Sequence, residues 1–73
     1  MDRGLAKEAV KACLSEARKK LDDAARIARA AEACAEAESI DEGVRISMDV
    51  EQLIYEAGRL HDAASLMSRL SEE

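Results

Sequence analysis

One histidine, two cysteines and a group of carboxylates are the residues in this sequence with the strongest potential for chemistry. His61 is the only histidine, and its nearest carboxylates along the chain are Glu56 and Asp62. Di-iron bundles hold their metals with a Glu-x-x-His spacing, which His61 lacks. Arg18 is expected opposite His61, and a positive neighbour disfavours a bound cation. We therefore interpret His61 as a partly exposed surface residue.

Carboxylates are concentrated between residues 32 and 49. An EF-hand loop needs oxygen ligands at alternating positions and a glutamate at its end, and this segment lacks that pattern. Ordinary solvation is the first interpretation, and a docking surface for a basic partner, including mimicry of a row of phosphates, is the second. The group comprises Glu32, Glu36, Glu38, Asp41, Glu42 and Asp49.

The two cysteines are too far apart to bond within the chain. Cys13 and Cys34 fall on one predicted helix, where their separation corresponds to roughly 31 Å, and a disulfide needs Cα atoms within about 7 Å. No Cys-x-x-Cys motif is present, so no redox or metal site is predicted. Free thiols are typical of a reducing compartment, and we expect a cytoplasmic protein.

The sequence contains no signature of an enzyme. It has no nucleophile–base pair, phosphate-binding glycine loop or metal-ligand set, so neither catalysis nor a cofactor is expected. Eleven Lys and Arg against 16 Asp and Glu give a net charge of −5, which disfavours general nucleic-acid binding. The basic residues between 18 and 29 have carboxylates at helical spacing, which predicts intrahelical pairing. These pairs are Glu16–Lys20, Lys19–Asp23 and Asp22–Arg26.

Composition predicts one all-α domain. The 73 residues are 48% hydrophobic and contain one aromatic residue and no proline, and strong helix formers dominate. Asp2 can cap a first helix spanning about 2–38. The capping box Ser39-Ile40-Asp41-Glu42 and Gly43 predict a turn at about 39–43, followed by a second helix over about 44–71. Alternation over 44–47 allows another interpretation, a connection over 39–47 with Ser47 capping a shorter helix.

Apolar residues in both helices recur at alternating steps of three and four, the spacing of a coiled-coil seam. In the first helix they are Val10, Leu14, Ala17, Leu21, Ala24, Ala28, Ala31 and Ala35. In the second they are Ile46, Val50, Leu53, Ala57, Leu60, Ala64, Met67 and Ser71. An antiparallel fold about residues 40 and 41 brings every a position opposite a d position and sets Leu21 against Leu60. The prediction is an antiparallel two-helix hairpin.

A seam rich in alanine is narrow, so we expect a second buried surface and a homodimer in the form of a four-helix bundle. The apolar flank formed by Cys13, Ile27, Cys34 and Leu70 is the predicted dimer interface, although Lys20 interrupts it. The opposite flank contains Ile54 but also several charged residues. Residues 1–29 carry a net +3 and residues 30–56 a net −7, which favours antiparallel packing of two hairpins.

The outer face of the second helix carries Met48, Gln52, Tyr55 and Arg59 at helical spacing. Exposed Tyr and Met are enriched at binding sites, so we expect this strip to bind a second protein of unknown identity. The function expected is an interaction module that modulates or inhibits a transcriptional regulator or host factor. A phage or mobile-element accessory protein fits this description.

The sequence allows two alternative functions. One is a co-chaperone or adaptor for an assembly subunit, and the other is a Rop-like RNA-binding hairpin dimer, whose architecture this chain resembles. Fold alone does not choose among them. No run of 18 apolar residues exists, so no membrane span is expected.

Overall fold

A computed structural model describes residues 2–72, which form two long helices packed side by side. Helix α1 spans Arg3–Glu36 and helix α2 spans Ile40–Glu72. They run antiparallel, since the start of α1 lies beside the end of α2. The Cα trace measures 54 × 13 × 11 Å. The prediction of an all-α antiparallel hairpin is confirmed.

Asp2 caps α1 as its sequence position indicates. The backbone N–H of Leu5 donates to Asp2 Oδ1 at 3.0 Å, and the side chain thereby satisfies one of the free donors at the helix start.

The turn between the helices is a Schellman motif over residues 37–39. The N–H of Ser39 donates to the carbonyl of Cys34 at 2.8 Å, and that of Glu38 donates to Ala35 at 3.0 Å. Glu38 takes a φ of 69°, the left-handed conformation that this motif normally gives to glycine. A glutamate there carries strain that its side chain does nothing to relieve, because L residues disfavour this region.

The connection is therefore shorter than the sequence suggests. Residues 44–47 are helical, so the interpretation with a connection over 39–47 is wrong. Glu42 does not complete the capping box, because its carboxylate accepts hydrogen bonds from Arg45. Gly43 lies inside α2 instead of in the turn.

Small residues fill the seam between the helices. Among residues 2–72 the buried positions are six alanines and one glycine, and half-buried residues alternate with them. The predicted α2 half of the seam is confirmed. In α1 the prediction is wrong at three positions, because Leu14, Leu21 and Ala28 are exposed. The buried residues are Ala6, Ala17, Ala24, Ala31, Gly43, Ala57 and Ala64.

The register also differs from the prediction, by about one helical turn. Gly43 lies against Cys34, a position that the predicted register gives to Ser47. Gly43 permits this close approach: a Cβ at that residue would come within 2.7 Å of the Ala31 carbonyl oxygen. With the turn centred near residue 38, each level of α1 faces an α2 residue about one helical turn closer to the connection, and the predicted pairing of Leu21 with Leu60 does not form.

Candidate protein-binding surfaces

One side of the hairpin exposes Leu14, Leu21 and Ile54. Leu14 and Leu21 are each 50% exposed and Ile54 is 54% exposed. All three line one shallow groove between the helices, together with Ala17 and Ala57. We call this surface the apolar face. Leucines at these levels keep half their area in water because alanines occupy the seam beside them.

The rim of the apolar face contains the residues with polar chemistry. Arg18, Gly58 and His61 line the same groove, so the expected proximity of Arg18 and His61 is observed. A Cβ built on Gly58 would meet no atom within 4 Å. Nothing within the chain therefore requires a glycine at this mid-helix position, where glycine destabilises a helix by roughly 0.5–1 kcal/mol relative to alanine.

The other side of the hairpin carries Glu16, Asp23, Asp49 and Glu56, and we call it the acidic face. Lys20 lies in the α1 half of the seam at this side, and its Nζ is 2.9 Å from Glu56 Oε1. This is the one ion pair between the helices among residues 2–72. Glu16 and Asp23 add favourable charge around Lys20.

The pair shifts the titration of both partners. A hydrogen bond from Gln52, at 2.9 Å, and the bond from Lys20 lower the pKa of Glu56. The Glu56 carboxylate in turn raises the pKa of Lys20, through its hydrogen bond and its charge. A charged pair at one level of an apolar seam favours one axial alignment of the two helices.

The residues predicted to form a dimer interface lie elsewhere than on a free flank. Cys13, Ile27 and Cys34 are half-buried, and they recur at the seam spacing between the buried alanines. They occupy the α1 seam positions that the sequence analysis assigned to leucine and alanine. Leu70 stays 38% exposed near the open end of the hairpin. Contact of these four residues with a second chain stays a prediction, but α2 already covers three of them.

Sequence reasoning missed the apolar face because it placed Leu14 and Leu21 in the seam. Gly58 was a signal in the sequence. With Leu14 and Leu21 in the seam, Gly58 would lie on the outside of α2, where nothing requires a glycine. The structure brings Gly58 to the middle of the exposed apolar residues.

The strip Met48, Gln52, Tyr55 and Arg59 lies on the outside of α2, as its spacing predicts. Tyr55 is 59% exposed, and Met48, Gln52 and Tyr55 border one shallow depression. Gln52 also donates to Glu56, so it links this strip to the ion pair of the acidic face.

Charged side chains on the outer surface mostly pair within their own helix, with partners other than those predicted. Lys19 bonds Glu16, and Arg26 bonds Asp23. Arg18 bonds Asp22 at 2.7 Å. Lys20, expected to pair with Glu16, pairs across the hairpin instead. Such exposed pairs contribute little to stability.

The grooves between the helices and the depression beside Tyr55 are shallow and open. Across residues 2–72, no three side chains of His, Cys, Asp or Glu converge on one point. Neither helix contains an apolar stretch long enough to cross a bilayer within the described part of the chain. Comparison with known protein families, with curated proteins and with solved structures finds no match to this chain.

Proposed function

We propose that this protein is a small non-enzymatic interaction module. It acts as a homodimer of helical hairpins that binds a second protein and modulates or inhibits it. A cytoplasmic transcriptional regulator or host factor is the proposed target, as for an accessory protein of a phage or mobile element.

The observation that carries the proposal is the amount of surface left uncovered. A globular monomer of 7.9 kDa exposes about 4,400 Å². The single hairpin exposes 5407 Å², which is about 1,000 Å² more. A standard protein interface covers about 800 Å² on each partner. The excess is the size of one such interface, and the apolar face supplies aliphatic residues for it.

A second contact surface supports binding to another protein besides the homodimer. Tyr55 and Met48 are exposed on the outside of α2, away from the apolar face. One straight strip of side chains on a helix suits a groove on a partner. Tyr55 is the proposed anchor, because buried tyrosines at interfaces commonly contribute more than their neighbours.

The RNA-binding alternative rests on a separate observation. Arg3, Lys7 and Lys11 lie at the open end of the hairpin, along one groove with Ser68 and Ser71. Retention on heparin or an RNA column at low salt tests this alternative. The proposed function predicts that the acidic protein flows through, and binding would favour the RNA-binding class.

The experiment for the proposed function compares Tyr55→Ala with Arg29→Ala. Both residues are exposed, and Arg29 lies on the outer surface of α1. Proteins captured from the native cell by the wild type are identified by mass spectrometry and then titrated against all three chains. We expect Tyr55→Ala to weaken binding by roughly 1–3 kcal/mol and Arg29→Ala to leave it unchanged.

Circular dichroism is the folding control for both variants. Equal affinity of the three chains would remove the strip as the binding surface. The acidic group around Glu38, Asp41 and Glu42 would then be tested next.

A further inference from the structure

We infer that a second copy of this chain covers the apolar face with its own apolar face, packed antiparallel about a two-fold axis level with Leu21 and Ile54. The inference rests on the homodimer proposed above, and it assigns that homodimer an interface and an arrangement. The sequence alone indicated a different flank, which the structure shows to be largely covered by α2.

The first support is where the uncovered apolar residues lie. Leu14, Leu21 and Ile54 share one groove, and each keeps about half of its area in water. On the acidic face, Leu53 and Leu60 are half-buried, and the exposed positions beside them at these levels are carboxylates. Packing of a second hairpin against carboxylates would require the removal of water from several charges.

The second support is Gly58. It lies within the apolar groove, and a side chain there would meet no atom of the same chain. Mid-helix glycines with a packing role allow another backbone or a large side chain to come close. A partner helix on this face provides such a neighbour, whereas solvent does not.

The third support is the order of side chains along the face, which suits a two-fold axis. The α1 residues that border it recur every seven positions about Leu21, so Leu14 of one copy lies level with Ala28 of the other. On α2 the residues recur in the same way about Ile54. Large residues thus oppose small ones, and the two central residues meet their own copies. These heptad positions are Lys7, Leu14, Leu21, Ala28 and Ala35 on α1 and Ile40, Ser47, Ile54, His61 and Ser68 on α2, and Leu14, Leu21, Ile54 and His61 among them line the groove.

Charge selects the antiparallel arrangement. The turn end of the hairpin lies within the segment of net −7, and the open end of α1 within the segment of net +3. Antiparallel packing brings Lys11 of one copy close to Glu32 of the other. A parallel dimer would place the two acidic ends together, where like charges repel.

Disulfide trapping tests the arrangement directly. In a chain with both native cysteines changed to alanine, Leu21→Cys introduces one thiol on the proposed axis. Asp23→Cys is the matched control, because it lies at almost the same level of α1 on the acidic face. Circular dichroism checks that each variant remains helical, and sedimentation equilibrium of the wild type establishes the oligomeric state.

We expect Leu21→Cys to convert from the 7.9 kDa chain to a covalent dimer under mild oxidation, and Asp23→Cys to stay reduced. A covalent dimer of Asp23→Cys alone would overturn this interface while the homodimer stands. Leu21→Cys chains are also oxidised in a mixture with Ile54→Cys chains. Covalent dimers that form only between the two variants would show parallel hairpins and would overturn the antiparallel arrangement. A wild-type monomer at micromolar concentration would overturn both the interface and the homodimer.

Discussion

The apolar face and the acidic face flank the same seam and are built from the same two helices, yet they differ in what they leave unsatisfied. On the acidic face, Lys20 and Glu56 form an ion pair across the hairpin, and Gln52 donates a hydrogen bond to the Glu56 carboxylate. On the apolar face, Leu14, Leu21 and Ile54 each keep about half of their area in water. The charged residues of the acidic face therefore pair within a single hairpin, whereas the aliphatic residues of the apolar face remain half exposed. A second chain would therefore remove far more apolar area from water on the apolar face than on the acidic face.

Leu21→Glu is expected to have the largest effect, because it places a charge on the apolar face. A charge on the two-fold axis would be buried twice, without a partner, so we expect the dimer to weaken by at least ~3 kcal/mol. Sedimentation equilibrium measures this change. Asp23→Ala, at a similar level on the acidic face, is the control and should leave dimerisation intact. Equal dissociation constants for the two variants would contradict the assignment of the faces.

Gly43→Ala and Gly58→Ala compare the seam with the apolar face. A Cβ at Gly43 would lie 2.7 Å from the Ala31 carbonyl oxygen, so the helices must separate, which we expect to destabilise the hairpin by about 1–3 kcal/mol. Gly58→Ala meets no atom in the hairpin and should increase its helicity, while it weakens the dimer. Urea denaturation over a range of protein concentrations separates the two effects.

Glu38→Gly changes the turn, which belongs to neither face. Glycine adopts a φ of 69° without a steric penalty, so we expect a gain of roughly 0.5–1 kcal/mol. The free energy of unfolding should rise while the dimer dissociation constant stays the same. Glu36→Gly, inside the last turn of α1, is the control and should lower stability. A loss of stability in Glu38→Gly would contradict the Schellman turn.

The smallest effect is expected on the acidic face, where the ion pair is accessible to water. The pKa of Glu56 is lowered in the fold, so the ionised carboxylate stabilises the hairpin above the ordinary glutamate pKa. This stabilisation is lost as pH falls through the lowered pKa. The pKa of Lys20 is raised in the fold, so the stabilisation from its ammonium group is present below the ordinary lysine pKa and is lost as pH rises through the raised pKa. The melting temperature of the wild type should therefore exceed that of Glu56→Gln between these limits.

At low pH the melting temperatures of wild type and Glu56→Gln should converge. A constant difference from pH 3 to pH 7 would remove the ion pair as its cause. The experiment needs low salt, since screening reduces the contribution of an exposed pair.

Helix content, the antiparallel direction and the α2 half of the seam could be predicted from the sequence, because apolar periodicity determines them. The α1 half could not. Hydrophobicity favours Leu14 and Leu21 over Cys13 and Lys20, but close packing at Gly43 favours small residues at the contact, and Lys20 gains Glu56 across the hairpin. The turn position was missed because Glu38 occupies a site where a glycine is normally the signal.

For the candidate sites, the sequence predicted the exposed strip around Tyr55, since one helix and its periodicity suffice for that. The apolar face depends on the rotation of α1 about its axis, and this rotation follows from contacts between the two helices. The predicted and observed α1 seams differ by one residue at every second position. The prediction has Leu14, Leu21 and Ala28 where the structure has Cys13, Lys20 and Ile27. Both sets of positions follow alternating steps of three and four, so the spacing alone does not distinguish them.

The alanine seam has a thermodynamic consequence for the whole protein. Alanine has no rotamer freedom to lose on burial, so the contact between α1 and α2 forms with little cost in side-chain entropy. It also removes little apolar area from water, and the heat-capacity change of unfolding follows that area. Leu14, Leu21 and Ile54 keep about half of their area in water in the hairpin, so they contribute fully to this change only when a second chain covers them. Coverage of the apolar face by a second chain would thus increase the heat-capacity change of unfolding and make stability more strongly temperature-dependent.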